Sequence, residues 1–97
     1  MAKPKTKPTE NNYKVSFVFS DKTFETQANS IMEGIESLAN LNQDSPIKPR
    51  EINSTCILRI EKNDRKIEEL WNPLRLRRLM HNKILRELTQ KRLGTVL

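Results

Sequence analysis

The tightest constraint on what this chain can fold into is a strict alternation near its N-terminal end. From Tyr13 to Ser20, the residues Tyr13, Val15, Phe17 and Phe19 fall on one side, and Lys14, Ser16, Val18 and Ser20 on the other. Period two with the apolar residues on one side is the pattern of a half-buried strand, whose apolar face must be covered by another element. Asp21-Lys22 interrupts the pattern, and Thr23 to Ala28 resumes it with Phe24, Thr26 and Ala28 inward, so a tight hairpin is expected although its turn lacks glycine.

The cover follows in sequence. Ser30-Ile31-Met32-Glu33 has the form of a capping box, in which the Ser30 hydroxyl serves the Glu33 amide and the carboxylate returns to the Ser30 amide. Ile31, Ile35, Leu38 and Asn42 then share one side of a helix, flanked by Met32 and Ala39. Gly34 sits inside it, where glycine costs about 1 kcal/mol relative to alanine; it marks either a close approach to the sheet or a tolerated cost. Residues 42–50 contain Pro46 and Pro49, which break helix and indicate a surface connection. Ile52 to Lys62 alternates again, with Ile52, Ser54, Cys56, Leu58 and Ile60 on one side, and predicts a third strand beside the first hairpin.

Asn63 to Trp71 admits two readings. Asn63-Asp64 can turn a second hairpin, or Asp64 can cap a helix whose face is Ile67, Leu70, Trp71 and Leu74. Helical spacing fits better, since strand alternation would put Glu69 on the buried side between Ile67 and Trp71. Asn72-Pro73 then marks a joint, with Asn72 as cap and Pro73 at the first helical position. One long helix is expected from Pro73 to Leu93, closed by Gly94 as a left-handed cap. The fold class is therefore α+β: a single small domain over 13–97, made of a small antiparallel sheet (hairpin, helix, third strand) followed by a long basic C-terminal helix. A chain of 97 residues with 35% hydrophobic side chains has little room for a large cofactor cavity.

Charge narrows the function. The chain has 18 Lys and Arg against 12 Asp and Glu, a formal net charge of +6. Arg75, Arg77, Arg78, Lys83, Arg86, Lys91 and Arg92 are offset in their own segment only by Glu87, so that segment carries the whole excess. On a helical wheel of about 100° per residue, Leu76, Met80, Ile84 and Leu88 form one arc, with Leu74 and Leu85 at its edge, that should dock on the sheet. Arg75, Arg78, Lys83 and Arg86 fall on the other side with Leu79 between them, while Arg77, Lys91 and Arg92 border the arc. A solvated helix face ordinarily mixes signs at i and i+4, and this one does not.

Arg75, Arg78, Lys83 and Arg86 are accordingly the candidate nucleic-acid-binding residues, contacting RNA or DNA phosphates with low sequence specificity. Arg77, Lys91 and Arg92 are auxiliary, as are Lys3, Lys5 and Lys7 of a flexible basic arm over 1–12, which has no large apolar residue beyond Met1 to offset the entropy of ordering. The alternative is a structural or adaptor subunit of a larger assembly, such as a phage particle or a ribosome-like or transcription complex, whose basic helix docks on an acidic protein surface.

Other classes find little support. His81 is the sole histidine and has no partner at metal-ligand spacing, so no metal site is expected. Glu33 with Glu36, and Glu68 with Glu69, read as solvated charges rather than a catalytic pair. Gly34 and Gly94 are the only glycines, which excludes a phosphate-cradling loop. No enzyme activity, cofactor or small-molecule substrate is expected. Val15-Ser16-Phe17-Val18-Phe19 lacks the glycines of an RNA-recognition strand and precedes the first helix, so its rings read as core; Trp71 reads as a packed anchor. Cys56 is the only cysteine, which excludes an intrachain disulfide and suits a reducing, cytoplasmic setting. No apolar run approaches the roughly 18–20 residues of a bilayer helix, and the sheet claims the apolar arc that a membrane-surface helix would need.

Overall fold

A computed structural model describes residues 12–97, so Lys3, Lys5 and Lys7 and the arm expected around them lie outside the described residues. The expected hairpin forms: β1 (Tyr13–Val18) pairs antiparallel with β2 (Thr23–Ala28), and Phe17 stands opposite Phe24. Its glycine-free turn is closed by the Phe19 N–H donating to the Lys22 carbonyl at 2.8 Å, and Phe19 meets Phe24 edge to face at 5.9 Å. Helix α1 (Ile31–Leu38) starts as its capping box predicts, with the Glu33 N–H donating to Ser30 Oγ at 3.1 Å. The Glu33 carboxylate, however, takes the Asn29 N–H at 2.8 Å instead of the Ser30 amide.

Gly34 is where α1 touches the sheet. A Cβ built there would lie 2.8 Å from Val15 Cβ, closer than real carbons approach, so the close-approach reading of this glycine holds.

The connection after α1 is less superficial than its prolines suggest. Ser45 and Ile47 are buried, the Ile47 N–H donates to the Leu38 carbonyl at 3.1 Å, and the Ser45 hydroxyl is bonded to the Asn40 backbone. Burial is affordable here because those polar groups find partners. One 3₁₀ turn (Pro49–Glu51) leads on to β3 (Cys56–Lys62), which starts four residues later than its alternation and pairs antiparallel with β1.

The helix expected over 64–71 is instead a strand, β4 (Arg65–Trp71), antiparallel to β3 with Ile60 opposite Ile67. Asn63 lies in the left-handed region at φ 57°, which asparagine tolerates, and so Asn63-Asp64 makes a two-residue turn. The helical spacing was a coincidence: Leu70 is 70% exposed on the outer side, while Ile67, Glu69 and Trp71 face inward. Glu69 is the residue that disguised the alternation, and it is tolerated inward because cations meet it there.

Among the described residues the sheet therefore has four antiparallel strands rather than three, in the order β2-β1-β3-β4. Val15, Phe17, Leu58 and Ile60 are fully buried beneath the helices. The other face carries cross-strand ion pairs, Lys14 to Glu25 and Glu61 at 3.6 and 3.7 Å, and Arg59 to Glu68 at 2.7 Å.

The long C-terminal helix is two helices, α2 (Pro73–His81) and α3 (Lys83–Val96). Asn82 separates them with an extended backbone, φ −129° and ψ 110°. Its N–H reaches the Leu79 carbonyl at 3.4 Å, and its side-chain oxygen accepts the Ile84 N–H at 2.9 Å, so one residue ends α2 and caps α3. Asn72 caps α2 as expected, accepting the Arg75 N–H at 2.8 Å. Gly94 is not a left-handed cap: it lies inside α3, and no described glycine has positive φ.

Helical phase does not carry across an extended residue, which overturns the expected arc. Leu76 and Met80 are buried, but Ile84 and Leu88 are 63% and 55% exposed. Leu79, expected among the cations outside, is buried against the core. The inward residues of α3 are Arg86, Thr89 and Leu93. α3 runs antiparallel to α1, since Met32 meets Gln90 and Glu36 meets Arg86.

Candidate functional site

The cations of the last segment divide into three sets. Arg86 and Arg77 are spent on the fold. Arg86, only 3% exposed, donates to Glu36 at 3.0 Å and to the Leu79 and Met80 carbonyls at 2.8 and 3.0 Å. Those carbonyls belong to the C-terminal turn of α2, where the backbone dipole favours a cation. Arg86 thus ties three helices together and does not stand on the solvent face expected for it. Its side chain came inward because Asn82 reset the direction of α3. Arg77 is half-buried and donates to the Ile52 carbonyl and, at 3.4 Å, to the Pro49 carbonyl, which fastens α2 to the 3₁₀ turn.

Arg75 and Arg92 form the second set, gathered around Glu69. Arg92 makes hydrogen bonds to both carboxylate oxygens, Trp71 Nε1 donates at 3.1 Å, and Arg75 lies 3.9 Å away. Arg75 also stacks over the Trp71 ring at 3.8 Å from its centre. Burial alone would raise the Glu69 carboxyl, but the hydrogen bonds from Arg92 and Trp71 and the nearby guanidinium charges bring it below the usual range. Both arginine side chains are still 45% exposed, so each keeps donors facing water.

Arg78, Lys83 and Lys91 make up the third set. All three are exposed, and among the described residues none has an ion pair. Of the four residues expected to share one cationic face, the structure keeps Arg75, Arg78 and Lys83 outside and takes Arg86 away.

A groove of about 450 Å³ runs between α2 and α3, beside the end of β4. Buried Leu79 and half-buried Leu85 line it together with the exposed Leu74 and Leu88. Arg75, Arg78 and Arg92 border it. This is an apolar trough with a guanidinium rim, and among the described residues no carboxylate lines it. Leu74 and Leu88 are each 55% exposed there, beside the three arginines.

Leu88, expected in the core, and Arg92, expected to be auxiliary, both belong to the groove. The signal available was the spacing of Trp71 and Arg75, which puts a guanidinium over an indole where a strand passes into a capped helix. His81 is exposed on α2. Cys56 is buried in β3, and burial pushes its thiol up to about 11, so it carries little thiolate at neutral pH. Among the described residues, no three His, Cys, Asp or Glu side chains are grouped to hold a metal, and no helix is long and apolar enough to cross a membrane.

Comparisons with protein-family models, with curated proteins and with solved structures return no match to this chain.

Proposed function

We propose that this protein is a small non-enzymatic adaptor whose α2–α3 groove docks an acidic, leucine-bearing segment of a partner protein within a larger assembly. The observation that carries this is the composition of the groove: Leu74, Leu79, Leu85 and Leu88 with Arg75, Arg78 and Arg92 around them. Carboxylates of a partner would answer the guanidiniums, for which arginine is well suited by its planar fork of donors. Apolar side chains of the same segment would bury against the leucines, a contact that a phosphate backbone does not offer. A reducing, cytoplasmic setting suits its single buried cysteine.

The second reading, low-specificity binding to RNA or DNA phosphates, draws on Arg78, Lys83 and Lys91, which are exposed without ion pairs among the described residues. If these three contacted duplex DNA, the log-log salt slope would be about −2.7.

Fluorescence anisotropy at graded salt separates the two. The probes are an acidic amphipathic peptide with leucines at helical spacing, the same peptide with its leucines replaced by serine, single-stranded RNA, and duplex DNA. The adaptor reading expects binding that needs both the leucines and low salt, and that Leu88→Asp abolishes. Tighter binding of RNA or DNA than of the leucine peptide, unaffected by Leu88→Asp, would replace it with the nucleic-acid reading.

A further inference from the structure

We infer that two copies of this chain associate through the free edge of β4, joining their four-stranded sheets into one continuous antiparallel sheet. Among the described residues β4 is paired on one side only, by β3, and it holds unbroken register from Cys56 opposite Trp71 to Lys62 opposite Arg65. Alternate residues of such an edge leave their N–H and C=O groups unpaired, which invites another strand unless the edge is blunted. β4 has seven residues and contains no proline. Lys66 and Glu68 would deter a second strand only if it presented the same charges to them.

A second β4 presents the opposite ones. The strand reads Arg65-Lys66-Ile67-Glu68-Glu69, with two cations before the central isoleucine and two anions after it. An antiparallel pairing with two-fold symmetry about Ile67 sets Lys66 opposite Glu68 of the second copy, and Arg65 opposite its Glu69. Symmetry makes each pair occur twice, with Ile67 against Ile67 at the centre. Shifting the centre by one residue sets Lys66 against Lys66 or Glu68 against Glu68, which is repulsive, so the charges select one register. The opposite edge of the sheet, β2, has a single charge, Glu25, and no such complementarity.

The outer pair is the determinant. Lys66 is exposed and, among the described residues, has no ion pair, while Glu68 offers one oxygen to Arg59 and is 40% exposed. Arg65 and Glu69 lie on the helix-covered side, where Glu69 already holds Arg92, so they add less. The pairing is isologous and closes at two copies, as a two-fold interface must. It does not depend on what the α2–α3 groove binds.

Sedimentation equilibrium of the full chain from micromolar to millimolar concentration, with circular dichroism to confirm folding, tests the pairing. The unsubstituted chain should pass from monomer to dimer. Lys66→Glu and Glu68→Lys each set like charges against one another and should weaken association about tenfold or more. Mixing the two variants should restore it, because each then supplies the charges the other lacks, and the double variant K66E/E68K should dimerise alone. A chain that stays monomeric throughout would overturn the inference. So would a dimer that both single variants retain, or failure of both the mixture and the double variant to associate.

Discussion

Arg86 and Arg78 stand in the same basic segment, each among leucines, and on a continuous helical wheel both fall on the solvent side. In the structure they share nothing but charge. Arg86 has a carboxylate and two helix-end carbonyls, and Arg78 on the groove rim has no ion pair among the described residues. A tally of basic residues counts charges, whereas binding depends on donors that the fold has not already used. Glu36, remote in sequence, and Glu69, just ahead of the segment on β4, remove much of the like-charge repulsion that the segment shows when read alone.

Replacing Arg86 tests this division most severely. Arg86→Ala leaves Glu36 without its buried partner and takes from the Leu79 and Met80 carbonyls the guanidinium they share, and should cost about 3–5 kcal/mol in urea unfolding. A loss below about 1 kcal/mol would mean that Arg86 is not the tie between the helices.

Asn82 separates the two kinds of arginine by resetting the helix. Asn82→Ala removes the α3 cap and should cost about 1 kcal/mol in thermal melts, without merging the helices, because Arg86 still holds the end of α2. Increased hydrogen-exchange protection of the Lys83 and Ile84 amides in this variant would show that the break depends on Asn82 alone.

A smaller effect follows from acid. Glu69 has a lowered carboxyl pKa in the folded state, so its contribution to stability is present above the ordinary glutamate range and is lost as pH falls through the depressed folded value. Glu69→Gln should therefore flatten the acid limb of a stability–pH profile. An unchanged acid limb would mean that the Arg75–Arg92 cluster does not stabilise the carboxylate.

Arg78→Ala should change stability least, by less than about 0.5 kcal/mol, while weakening capture of the acidic leucine peptide. A large stability loss would place Arg78 with Arg86 and erase the contrast.

Much of the fold was legible in local signals. The alternation from Tyr13 to Ala28, the Ser30 cap, the alternation through Cys56 to Ile60 and the Asn72-Pro73 joint each record a constraint that acts within a few residues. Two features were not legible. Glu69 faces inward because Arg92, 23 residues away, meets it there, and this hid a strand behind helical spacing. Asn82 gave no clear sign either, since asparagine inside an amphipathic pattern fits a continuous helix as readily as a cap. The site was half legible for the same reasons: Arg75 and Arg78 were expected, whereas the groove-facing positions of Leu88 and Arg92 depend on the turn at Asn82.

By itself, then, the sequence determined which residues alternate, where helices start, how much charge there is and in which segment it gathers. These depend on backbone periodicity and near-neighbour hydrogen bonds, which short stretches encode. Only the tertiary structure decided which cations are free. An arginine's availability depends on carboxylates and carbonyls brought to it from distant segments, and those are positioned only once the sheet and its three helices have packed together.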